Sequence, residues 1–154
     1  MAGQKKDMEY RIEKAGWRDF FDLYRLEKKV FAQDAWPWFD LLIVLTFPGF
    51  VRLKAVADAQ MIGFAAGEIR RGDGAGWVVT LGVLPEYRRQ GIGQALLREC
   101  ERLLNSRRIR LCVRKSNLPA LKLYQQKGYV VYTTWANYYH GGEDALVLEK
   151  IVAS

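Results

Sequence analysis

Histidine is almost absent from this chain and cysteine is scarce: His140, Cys100 and Cys112 are the whole complement in 154 residues. Three such side chains cannot make a four-ligand zinc centre, and two cysteines cannot make a disulfide framework. No metal is expected, and a reducing, cytoplasmic location follows by default. Long apolar runs are also missing. The longest, LLIVLTF from Leu41 to Phe47, is far short of the roughly 20 residues that span a bilayer. The opening MAGQKKDMEY has no apolar core of a signal peptide, so neither membrane nor export is expected. Acidic residues are outnumbered, 17 against 24 basic ones, which leaves a net charge of +7. An excess of that sign implies an anionic partner: a phosphorylated cofactor, RNA or an acidic peptide. No repeat or linker divides the chain, and its length suits one domain, 1–154, with a real core.

The apolar pattern then gives the elements. A first strand is expected over Tyr10–Lys14, and a helix over Trp17–Phe31 from its apolar stripe. AQDAWPW, Ala32–Trp38, breaks that helix because Pro37 disfavours helix at Trp36. A second short helix follows, to about Thr46. Phe50–Ala57 and Met61–Arg70 read as strands around a turn at Asp58-Ala59-Gln60, and Trp77–Leu84 as a buried strand ended by Pro85. Gln94–Asn105 reads as a helix, Ile109–Val113 as a strand, and Leu118–Lys127 as a helix stopped by Gly128. Tyr129–Trp135 and Ala145–Val152 complete the strands, with His140-Gly141-Gly142 in the link between them. The expected architecture is α/β (α+β): a central mixed sheet of about seven strands with about four helices packed on it.

One stretch, EYRRQGIGQALL from Glu86 to Leu97, carries chemistry. A helix N-terminus offers unpaired N–H groups and a partial positive charge. Glycines at Gly91 and Gly93 let a phosphate approach those amides, and Arg88 and Arg89 add charge at the rim. The same residues also suit an ordinary tight turn with solvated arginines. The stretch lacks both the Gly-Lys-Ser/Thr of a Walker loop and the third glycine of the dinucleotide fingerprint.

In context, LGVLPEYRRQGIGQALL after a buried strand is similar to the acetyl-CoA site of the GNAT acyltransferase superfamily, with Arg88, Gly91 and Gly93 on the signature positions. The next segment, LCVRKSNLPALKLYQQKGY, resembles the second cofactor motif of that family, including Asn117 and Tyr124. The resemblance implies a single GNAT domain that binds acetyl-CoA. It implies the pantetheine along the Leu81, Gly82 and Val83 backbone, the pyrophosphate at Arg88, Arg89, Gln90, Gly91, Ile92, Gly93 and Gln94, and Asn117 nearby. Tyr124 falls where the family places a tyrosine near the coenzyme A sulfur. A phenol near pKa 10 is a weaker acid than a thiol near 8.5, so the role expected is hydrogen-bond donation to the thiolate, with proton donation uphill by about 2 kcal/mol.

Within the superfamily the chain most resembles protein N-terminal acetyltransferases of the ribosomal-protein alanine type. The stretches that carry this are VRKSNLPALKLYQQKGY, NYYHGGEDALVLEK and the Leu26–Trp38 segment. The resemblance implies that Tyr138 and Tyr139 hold the acceptor backbone, and that Trp36 and Phe31 belong to a loop over it. The general base departs from the family: Trp77 and Cys112 stand where relatives have Glu, Tyr or His. Indole is not basic, and a strand cysteine is usually an inert hydrophobe. Glu68 and Glu27 are the candidates to act through water, although each also fits an ordinary surface carboxylate.

A weak base suits an α-amine, which is about 10–20 per cent neutral at pH 7, better than a lysine, which costs roughly 3.5 kcal/mol more to deprotonate. The leading expectation is an Nα-acetyltransferase for a protein or peptide N-terminus, with ribosome proximity conceivable. The alternatives are an acetyltransferase for a small amine (polyamine, amino acid or aminoglycoside) and a non-catalytic coenzyme A-binding module. No nucleic-acid module is recognisable, and the chain is expected as a monomer or a homodimer.

Overall fold

The computed structural model describes residues 8–152. The amino-terminal segment read above for a signal peptide lies mostly outside the described residues, as do Ala153 and Ser154. The strands are β1 (Arg11–Lys14), β2 (Phe50–Ala57), β3 (Gln60–Ile69), β4 (Gly76–Val83), β5 (Arg108–Arg114), β6 (Val130–Trp135) and β7 (Ala145–Ile151). The helices are α1 (Phe20–Phe31), α2 (Trp38–Thr46), α3 (Ile92–Leu104) and α4 (Leu118–Gln126). All seven strands join one mixed sheet in the order β1-β2-β3-β4-β5-β7-β6, as expected.

Helices cover both faces. A Cβ added at Gly82 would meet Val30 and Phe31 of α1, whereas one added at Gly63 would meet Leu96 of α3. Phe64 pairs with Gly82, and Gly63 with Val83. Successive strand residues point to opposite faces, so α1 and α3 lie on opposite sides of the sheet. The buried core runs through both interfaces, with Leu23 and Leu26 of α1, Leu96, Leu97 and Cys100 of α3, and Ile62, Phe64 and Ala65 of β3.

Two boundaries differ from the sequence reading by more than one residue. The first helix begins at Phe20, after a short 3-10 turn at Trp17–Asp19. Asp19 stabilises that turn by accepting the Gly16 amide at 2.9 Å. The third helix begins at Ile92, two residues earlier than expected, because Gly91 takes a left-handed conformation (φ 81°) and starts the helix at once. That conformation costs an L-residue but not glycine.

The feature that positions the site is a parting of strands. β4 and β5 run parallel but pair only over Gly76–Val78 and Ile109–Leu111. A bulge causes the divergence: Ala66 pairs with Thr80 and Gly67 with Val78, so Val79 is the extra residue on β4. A bulge bends its strand and increases local twist. Beyond it, β4 continues to Val83 and β5 to Arg114 with a wedge between them.

Candidate active site

The wedge holds two cavities that meet. The first, about 200 Å³, lies between the parted strands and α4, with Val79, Leu81, Cys112, Asn117 and Tyr124 on its walls. The second, about 420 Å³, opens towards the β6–β7 loop and is walled by Glu68, Arg70, Trp77 and Tyr138. Trp36, Val78, Val79, Cys112 and Tyr139 line both. Two substrates entering from opposite sides would meet at these residues.

On the first side, β4 and β5 leave main-chain groups unpaired, which an extended amide-bearing chain can satisfy. The Val83 carbonyl is already taken, since Arg88 Nε donates to it at 3.2 Å. Gly82 is required by the helix behind it: an added Cβ would come within 2.9 Å of Val30 and 3.2 Å of Phe31. At the N-terminus of α3, Arg89 (φ 63°) and Gly91 (φ 81°) are both left-handed, which coils the chain tightly. No side chain caps that helix and no acid stands in its first turn. A Cβ at Gly91 would meet nothing within 4 Å, and one at Gly93 only Val83, at 3.7 Å. Open, uncapped amides with a partial positive charge fit a phosphate. Arg88, Arg89, Gln90, Ile92 and Gln94 all belong to this turn or to the first turn of α3.

Asn117 caps α4, its Oδ1 accepting the Ala120 amide at 3.3 Å. Tyr124 is buried against Tyr129, ring centroids 5.8 Å apart. Burial pushes its phenol up to about 12.

The residues expected to meet the acceptor come from distant parts of the chain. Tyr139 lines both cavities and packs edge-to-face on Tyr138, with centroids 5.0 Å apart. Burial raises the Tyr139 phenol. Trp77 is stacked between Trp135, 5.8 Å away, and the Arg70 guanidinium, 4.1 Å from its ring. Phe31, expected over the acceptor, instead lines the first cavity and packs towards Gly82.

The two candidate bases stand in opposite settings. Glu68 lies on the wall of the second cavity, part-exposed and loosely paired with Arg70 at 3.5 Å. Glu27 is 1 % exposed, with Oε2 lacking any hydrogen-bond partner. The surface-carboxylate alternative therefore does not hold for Glu27. Burial pushes its carboxyl up to about 7, opposed by the Trp36 main-chain amide and the Thr80 hydroxyl. Thr80 Oγ1 donates to Glu27 Oε1 at 3.3 Å and lines the first cavity. It thus connects a carboxyl inside α1 to the wedge. Sequence reasoning missed Thr80, since threonine in a strand is what β-propensity alone supplies. Cys112 sits where the cavities meet, but burial pushes its thiol up to about 11, which makes it a poor nucleophile and a poor base.

A cluster absent from the sequence reading gathers at Arg114, which with Asp34 lines the first cavity. Arg114 forks Asp34 with Nε and a terminal nitrogen, the latter at 2.6 Å, and also reaches Glu143 at 2.8 Å. Glu143 accepts the Ser116 amide at 2.7 Å, and these donors hold its carboxyl down at about 2. His140 contributes only its main-chain carbonyl, to Arg114 at 3.3 Å.

Among the described residues no group of three or more His, Cys, Asp or Glu could hold a metal, and no helix is long and apolar enough to cross a membrane. Both cysteines are free.

Known proteins resemble this chain in sequence and in fold. An N-alpha-acetyltransferase of Sulfurisphaera tokodaii is 29 % identical, with 96 % of each chain covered. The N-terminal acetyltransferase B complex catalytic subunit NAA20 of Arabidopsis thaliana is 30 % identical over 75 % of this chain and 70 % of its own. In fold, the ribosomal-protein-S18-alanine N-acetyltransferase of Escherichia coli superposes with a TM-score of 0.85 at 24 % identity, covering 95 % of this chain and 96 % of that one. Residues 17–129 match the Acetyltransferase (GNAT) family. With the parted strands and the uncapped glycine turn in place, this chain belongs to the GNAT family of N-acetyltransferases.

Proposed function

We propose that this protein transfers the acetyl group of acetyl-CoA to the α-amine at the N-terminus of a protein or peptide. The observation that carries the reading is the buried Glu27 carboxyl, raised to about 7 and joined to the wedge by Thr80. Taking a proton from an α-ammonium of pKa 7.7–8.0 is uphill for such a base by only roughly 1 kcal/mol; from a lysine near 10.4 it is roughly 4.5 kcal/mol. A general base works best near the pKa of its task and the working pH. Relatives named as Nα-acetyltransferases support the same acceptor.

Acetyl-CoA, when bound, supplies the activated thioester. In this reading, the uncapped α3 amides with Arg88 and Arg89 hold its pyrophosphate. The free β4 edge and the Asn117 region hold the pantetheine. Tyr138, Tyr139 and Trp36 hold the acceptor from the other side. Thr80 takes the ammonium proton as its own hydroxyl proton moves to Glu27. The freed amine forms the C–N bond as the C–S bond breaks, and the second proton on that nitrogen goes to the departing thiolate, leaving a neutral amide and the coenzyme A thiol. Tyr124, a weaker acid by several pK units than an unperturbed thiol near 8.5, donates a hydrogen bond to the departing sulfur without surrendering its proton. Glu68, paired with Arg70 at the outer wall, shapes acceptor entry. Two free cysteines suit a reducing cytoplasm.

The test is thiol release from acetyl-CoA against peptides with varied N-termini, alongside polyamines and aminoglycosides. Turnover on peptides, abolished by blocking the α-amine, is the expected result. Turnover only on small amines overturns the acceptor assignment. Binding of acetyl-CoA with no turnover on any amine overturns the catalytic role of Glu27.

A further inference from the structure

We propose that Arg114 is a positioning residue for the acceptor: it clamps the α1–α2 loop to the β6–β7 loop and so holds Trp36 and Tyr139 as walls of the passage between the two cavities. This rests on the acceptor side assigned above, and the mechanism given there makes no use of Arg114.

Almost every surface of this guanidinium is engaged. Nε and one terminal nitrogen donate to the two oxygens of Asp34, and the other terminal nitrogen donates to Glu143 at 2.8 Å. The nitrogen shared with Asp34 also reaches the His140 carbonyl at 3.3 Å, and the planar face lies 4.6 Å from the Tyr139 ring centroid. Asp34 and Glu143 are 80 and 29 residues from Arg114 in sequence, so the contacts close two long loops at one point.

What the clamp holds lies at the junction. Asp34 is two residues before Trp36, and Tyr139 donates its amide to the Glu143 carbonyl at 3.1 Å. Glu143 also accepts the Ser116 amide at 2.7 Å, which fastens the same point to the β5–α4 turn. A planar fork can serve two carboxylates and a ring face together, which a lysine ammonium cannot. The charges do not cancel either: two carboxylates around one guanidinium leave one negative charge beside the passage, which favours an arriving ammonium.

The test pairs steady-state kinetics with hydrogen exchange on the intact protein. Arg114→Ala is expected to raise the KM of the acceptor at least about tenfold while the KM of acetyl-CoA stays within about twofold. Arg114→Lys should recover only part of the loss. Asp34→Asn, the milder change, is expected to raise exchange in residues 137–143 as well as in its own loop, 32–37, because the clamp couples them. Loosening confined to residues 32–37, or a joint rise of both KM values, overturns the proposal. If the wild-type enzyme acetylates small amines and no peptide, the peptide reading fails, and the same KM split measured with the small amine still decides for or against the clamp.

Discussion

The two sides of the wedge are built in different ways. The proposed coenzyme side comes mostly from continuous chain, namely the end of β4, the Arg88–Gly91 turn and the first turn of α3, with Asn117 and Tyr124 added from the start and interior of α4. The acceptor side gathers Trp36 from the α1–α2 loop, Glu68 and Arg70 from the end of β3, Trp77 from β4, and Tyr138 and Tyr139 from the β6–β7 loop. The first needs a turn and a helix start, which are local. The second needs side-chain contacts across the sheet, including the Arg114 clamp. A continuous site can be conserved in shape while acceptor loops vary, because connecting segments tolerate change better than the elements they join.

Breaking each side separately sharpens this contrast. The largest effect is expected for Glu27→Gln: turnover falls about 10²-fold or more while acetyl-CoA affinity is retained. The acidic limb of the rate profile near pH 7 should vanish with it. Equal loss of affinity and turnover would show that Glu27 supports the fold and not the proton transfer. The same variant has a stability signature. Burial raises the folded-state pKa from 4.5 to about 7, so the folded chain binds this proton more tightly than the unfolded chain. That contribution is complete below about pH 4.5 and lost as pH rises through 7. Between these limits wild type should lose up to roughly 3 kcal/mol that Glu27→Gln keeps. Denaturant unfolding at both ends of the range checks it, and parallel losses would contradict the buried carboxyl.

On the coenzyme side, Gly91→Val is expected to weaken acetyl-CoA binding by at least about tenfold. It fills the space left open for a phosphate and strains a left-handed position at a cost of about 1–3 kcal/mol. Isothermal titration with coenzyme A reads it, and unchanged affinity would remove the phosphate assignment. Tyr124→Phe follows, with kcat down about tenfold and the KM of acetyl-CoA little changed, as loss of a transition-state interaction requires. A matching rise in KM would mean that the phenol serves binding instead.

Gly82→Ala separates packing from cofactor contact. Its Cβ would press on Val30 and Phe31, so about 1–3 kcal/mol of stability is expected to go. Coenzyme affinity in the folded fraction should change little, because the β4 main chain and not a side chain is proposed to meet the cofactor. A binding defect without a stability defect would overturn the packing role of Gly82. The smallest effect is expected for Cys112→Ala, which should stay within about twofold of wild-type turnover because its thiol, pushed up to about 11, is not ionised at working pH. Loss of activity with folding intact would make the cysteine a participant.

Periodicity, turn residues and the glycine-arginine motif together determined the seven strands, the four helices and the uncapped turn proposed to hold a phosphate, because each of these is set within a few residues of chain. The end of α1 at Phe31, the turn after Ala57 and the stop at Gly128 are all legible in that way. Tertiary structure decided the rest. It buried Glu27 and left Glu68 part-exposed, a difference that no local pattern around either residue encodes. It turned Phe31 towards Gly82 and away from the acceptor cavity, and made Thr80 a link by setting it 3.3 Å from a carboxylate 53 residues earlier in the chain. It also gave Arg114 two partners on loops that meet only when the sheet is complete. The physical reason is the same in each case: desolvation, ion pairing and packing depend on neighbours in space, and only folding brings those neighbours together.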